Sequence, residues 1–85
     1  MKHISRKEQE NYEVAGILRE KGIHNGKIVR LWLANKNELI EDWLAEESGY
    51  YIQIRTDSMG VTESCNTTNL IDACKAFNEV CQAIL

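Results

Sequence analysis

The residues able to do chemistry in this chain are few and far apart. Imidazoles occur at His3 and His24, thiols at Cys65, Cys74 and Cys81, and no Cys-x-x-Cys pair is present. A nucleophilic triad needs a base beside a Ser or Cys, and a structural zinc site needs grouped nitrogen and sulfur ligands. This spacing offers neither. Phosphate cradles need glycines clustered at a helix start, whereas Gly16, Gly22, Gly26, Gly49 and Gly60 are scattered. Asp57 and Glu63 could face each other across a predicted hairpin as a general acid–base pair, but acids beside a β-turn are usually just solvated. No residue is assigned a catalytic, cofactor-binding or metal-binding role, and the chain is expected not to be an enzyme.

Charge carries more information. Through Lys36 there are eight basic and four acidic residues; from Asn37 onward there are two basic and nine acidic ones, giving a net charge of −3. The acids Glu38, Glu41, Asp42, Glu46 and Glu47 fall on one predicted helix. Glu38/Asp42 and Asp42/Glu46 are then like-charge i, i+4 pairs, which destabilise a helix mildly. A solvated face, or pairing with the basic first half, would explain them. The functional alternative is a negative patch for a basic protein surface, with carboxylates imitating phosphates and Tyr50 and Tyr51 as aromatic anchors.

The elements that would position these groups follow from the hydrophobic pattern. Ser5-Arg6-Lys7-Glu8 reads as a capping box opening a helix to about Lys21, with Gly22 as its left-handed terminator. Lys27 to Ala34 is a dense apolar run bounded by turn residues, the signature of a strand covered on both faces. Leu39, Ile40, Trp43 and Leu44 have helical spacing, predicting a helix from Glu38 to about Glu47 capped by Asn37. The rival reading makes Leu39 to Ala45 a hairpin arm turning at Lys36-Asn37. Tyr50 to Thr56 alternates as a strand, turns at Asp57–Gly60, and returns through Val61 to Asn66. Glu63 on the inward parity of that return points to a sheet edge or a bulge. The last helix, capped at Thr67, Thr68 or Asn69, carries the seam Leu70, Cys74, Phe77, Cys81 and Ile84.

The expected fold is therefore a single α+β domain over residues 1–85, in the order α-β-α-β-β-α, with α-β-β-β-β-α as the alternative. In the first order the strands on either side of the middle helix would be parallel. An odd cysteine count argues against a disulfide framework. No apolar run approaches the roughly 18 residues of a membrane span, and the basic start lacks a secretory apolar region, so a cytoplasmic location is expected. The apolar flank Ile71, Val80 and Leu85 suggests a homodimer through the last helix.

The functional expectation is a small acidic protein acting through protein–protein contact, an inhibitor covering a basic nucleic-acid-binding surface. By size and charge alone, phage anti-defence and anti-CRISPR proteins are comparable. The alternative is a nucleic-acid-binding regulator using Lys2, Arg6, Lys7, Lys27 and Arg30, although the acidic balance works against direct phosphate contact.

Overall fold

A computed structural model describes residues 1–23 and 25–84. Its strands are β1 (Lys2–His3), β2 (Gly16–Ile23), β3 (Lys27–Ala34), β4 (Leu39–Ile40), β5 (Trp43–Leu44), β6 (Gly49–Arg55) and β7 (Gly60–Ser64), followed by helix α1 (Leu70–Ala83). Strands β2-β3-β6-β7 form a four-stranded antiparallel sheet in that order, and β1-β5-β4 form a small three-stranded one. The mostly sheet architecture, with a single α-helix among the described residues, overturns both expected element orders.

The N-terminal helix does not form. The Glu8 amide does reach Ser5 Oγ, at a long 3.4 Å, but the turn it opens is a 3-10 segment that ends at Asn11. The chain then leaves as β2, an edge strand paired with β3 through Ile23↔Lys27 to Gly16↔Leu33. Asn25 and Gly26 follow one another at φ 84° and 74°. Consecutive positive φ values are what a tight hairpin needs to match strand twist, and Asn-Gly supplies them at little steric cost. Gly22 is thus a strand residue, and the left-handed turn begins beyond it.

The acidic middle helix is likewise replaced. Residues 39–44 form a hairpin in which Leu39 faces Leu44 and Ile40 faces Trp43, with Glu41-Asp42 as the turn. The Ala45 amide donates to the Glu38 carbonyl at 2.9 Å and the Asn37 amide to the Ala45 carbonyl at 2.8 Å, extending the ladder toward Lys36. The hairpin therefore turns at Glu41-Asp42 and not at Lys36-Asn37. No parallel crossover results, because β3 and β6 pair antiparallel through seven residue pairs from Ile28↔Arg55 to Ala34↔Gly49.

Strand β3 sits at the centre, covered on both faces. Val29 and Leu31 pack with Ile23 and with Ala73, Phe77 and Cys81 of α1. Trp32 and Ala34, on the opposite parity, pack with Tyr51, Ile40, Ala45 and Ala15 beneath the small sheet. On that second face the Trp32 indole N–H donates to Gln53 Oε1 at 3.1 Å. The bond gives the almost fully buried Gln53 (1% exposed) a partner, which a buried amide requires.

Helix α1 starts at Asn69, whose side-chain oxygen accepts from the amides of Ile71 at 2.8 Å and Asp72 at 3.3 Å, the expected N-cap geometry. The buried seam is Ala73, Phe77 and Cys81, so Leu70 is left half exposed and Ile71 is 77% exposed. Val80 packs into the same core. The flank expected to mediate a dimer is thereby split: Val80 is inward, Ile71 is outward, and Leu85 lies outside the described residues. All three cysteines are free, and burial pushes the thiols of Cys65 and Cys81 up from their ordinary pKa. Among the described residues no helix is long and apolar enough to cross a membrane.

Candidate protein interface

Opening the predicted acidic helix into a hairpin separates its five acids. Glu38 accepts the Asn35 amide at 2.6 Å and closes the turn after β3. Asp42 accepts from the Gln9 side chain at 3.1 Å. Glu41, at the hairpin turn, lies between two arginines of the large sheet: Oε1 is 3.2 Å from Arg30 Nη1, and Oε2 pairs with Arg55 Nη1. Arg30 also holds Glu20 of β2 at 2.6 Å. Of these pairs Arg30–Glu41 joins the basic half to the acidic half, and together they engage Arg30, which the nucleic-acid reading would need free.

Glu46 and Glu47 are placed differently. Both are exposed, and the one ion pair found for Glu46 among the described residues is with the Met1 ammonium at 3.9 Å. They follow β5 and lead into β6, held there by Tyr51. The Tyr51 hydroxyl donates to the Glu47 carbonyl at 2.6 Å. Tyr51 is itself buried, so it fixes the acidic segment from below. Burial raises its pKa above the ordinary 10.0. The nearby Glu47 and Glu46 charges add to that shift. Tyr50 points to the other face and packs against the α1 core.

Around this segment the surface is concave. A groove of about 480 Å³ is lined by Met1, Glu46, Glu47 and Tyr51 together with Thr62, Glu63, Ser64 and Asn66 of β7 and the residues after it. A second groove of about 420 Å³ continues from it, sharing Glu47, Ser64 and Asn66. The Glu46 and Glu47 carboxylates, with Thr62, Ser64 and Asn66 beside them, can attract and hydrogen-bond a cationic group; Glu63 borders the groove from β7 but by register shares the face of Ile52 and Val61. The groove lining contains no His or Cys nucleophile, and no metal-binding group of three or more His, Cys, Asp or Glu occurs among the described residues. Sequence reasoning flagged Glu63 but missed Thr62, Ser64 and Asn66. Their shared position follows from the β6–β7 register, which pairs Tyr51 with Ser64 and Gln53 with Thr62. The same register places Glu63 opposite Ile52 and Asp57 in the turn beyond Arg55, so the suspected acid pair is not brought together across the hairpin.

No known protein family, curated protein or solved structure matches this chain. The surface has to be interpreted from its own chemistry.

Proposed function

We propose that the protein works by protein–protein contact, presenting Glu46 and Glu47 to a basic surface of a partner and so inhibiting what that surface does. The observation that carries this reading is the division among the acids. Glu38, Glu41 and Asp42 are engaged within the fold, whereas Glu46 and Glu47 are held out at a groove whose one cationic group among the lining residues is the Met1 ammonium, 3.9 Å from Glu46. Like charges that are only partly neutralised destabilise a folded protein slightly, and they speed association with a partner of opposite sign. A surface built to receive cationic groups that otherwise hold phosphates is the natural complement, which makes a nucleic-acid-binding protein the favoured partner class.

The test is capture from lysate by immobilised wild-type protein and by the double variant Glu46→Lys/Glu47→Lys, each with and without nuclease. The wild type is expected to retain a basic partner after nuclease treatment. The double variant should bind it at least tenfold more weakly, a loss of about 1.4 kcal/mol or more. Equal binding by the two proteins contradicts the acidic-surface reading. Capture that disappears with nuclease favours direct nucleic-acid binding instead.

A further inference from the structure

The large sheet has two edges, and they are finished differently. Edge β2 carries Arg19, Glu20 and Lys21 in succession and has a register irregularity between Ile17 and Arg19. Charges and bulges are the usual means of preventing an edge from pairing with another chain. Edge β7 has no bulge and a single charge. Its five residues pair with β6 in unbroken register from Tyr51↔Ser64 to Arg55↔Gly60. Glu63 is its one charged residue, and Val61 is 56% exposed.

The direction of the unpaired groups on β7 can be derived. The Cys65 amide donates to the Tyr50 carbonyl at 2.9 Å and the Thr56 amide to the Met59 carbonyl at 2.8 Å. Hydrogen-bonded pairs alternate along an antiparallel ladder, so Glu63–Ile52 and Val61–Ile54 are the bonded pairs between those two. Thr62 and Ser64 therefore turn their amides and carbonyls away from β6. These are the same two residues that line the acidic groove with Glu46 and Glu47.

We infer that β7 receives an extended segment of a basic protein as an added strand. The mode is main-chain pairing to Thr62 and Ser64, with specificity coming from alternate side chains. Residues placed directly opposite Thr62 and Ser64 share their face of the sheet, which is the face of Tyr51, Glu46 and Glu47. Lysine or arginine is required there. The intervening residues lie on the face of Val61 and tolerate threonine or valine. The charge of the groove selects this occupant over a second copy, because two β7 edges brought together would juxtapose their carboxylates. This inference rests on the acidic-surface reading and adds the backbone edge to it.

Two readouts separate the two ideas. The probe is a synthetic peptide alternating lysine and threonine, followed by fluorescence anisotropy at low salt; a matched peptide is N-methylated at alternate backbone amides. Thr62→Pro removes only an outward-facing donor, which an edge strand tolerates, and leaves every carboxylate in place. Wild type should bind the unmodified peptide, and either Thr62→Pro or N-methylation should weaken binding about tenfold or more, the worth of one or two lost backbone bonds. If folded Thr62→Pro and the methylated peptide both bind as tightly as the parent pair, strand addition is wrong while the acidic surface stands. If Glu46→Lys/Glu47→Lys binds the peptide undiminished, the acidic-surface reading fails, and the inference with it. Should Thr62→Pro unfold, the methylated peptide on wild-type protein decides alone. Absence of peptide binding by wild type overturns the inference.

Discussion

Leu31→Ala is expected to remove about 2–5 kcal/mol of stability, the cost of truncating a fully buried leucine and leaving part of the cavity unfilled. Leu31 has no exposed surface. It lies mid-strand in β3, opposite Ile52 of β6 and Arg19 of β2, with α1 closing over it. Domains of this size are stable by only about 5–15 kcal/mol, so the variant should lose a large fraction of the whole. A urea titration would show the midpoint falling sharply with little change in slope. Val61→Ala, on the exposed edge, should stay within about 0.5 kcal/mol of wild type. A loss below about 1 kcal/mol for Leu31→Ala would mean that β3 is not the centre of the core.

Glu41 should reverse the usual order of glycine and alanine. It is a non-glycine residue at φ 55° in a turn between two-residue strands, where a left-handed conformation costs an L-residue about 1–2 kcal/mol. Its carboxylate offsets that cost by joining Arg30 and Arg55. These side chains are partly exposed (21%, 25% and 40%), so solvent reduces the worth of the pairs toward the surface value of about 0–1 kcal/mol each. Glu41→Ala loses the pairs and keeps the strain; Glu41→Gly loses the pairs and relieves it. Glycine should therefore be the more stable variant by about 1 kcal/mol, although elsewhere in strands or helices it is worse than alanine by about 0.5–1 kcal/mol. Denaturant midpoints of the two variants check this, and alanine equal to or better than glycine would contradict it. Glu41→Lys would set three cations together and is unsuited to probing partner binding.

The parts of the fold that were legible are those whose burial is written into local sequence. Strand β3 carries apolar residues on both parities because both faces are covered. Strand β6 alternates because its two faces meet different layers. Helix α1 combines a sustained 3.6-residue stripe with an Asn cap. Strand β2 was illegible because Ile23 is its one buried residue; an edge held by backbone pairing need not show alternation. The irregularity at Ile17 and Arg19 also sets Ile17 and Leu18 side by side, as a helix stripe would. Residues 39–44 were misread for a simpler reason. Two-residue strands around a two-residue turn place apolar residues at i, i+1, i+4 and i+5, the same spacing as a helix face. The turn itself holds Glu and Asp instead of the Asn-Gly that betrays the β2–β3 hairpin. Within the proposed interface, Glu46 and Glu47 stood out in the sequence as acids with no nearby lysine. Thr62, Ser64 and Asn66 did not, because they join those acids only through the long-range register of β6 and β7.

The central claim is that the functional acids are Glu46 and Glu47 at the β7 groove, and not the acids at the Glu41 turn. It is tested most directly by mapping backbone amide shifts in ¹⁵N-labelled protein during titration with the alternating lysine–threonine peptide. The shifts are predicted to concentrate at Glu46–Ser48 and Thr62–Asn66 and to weaken as salt is raised. Shifts centred on Glu38–Asp42, or spread evenly over the acidic surface, would contradict the claim.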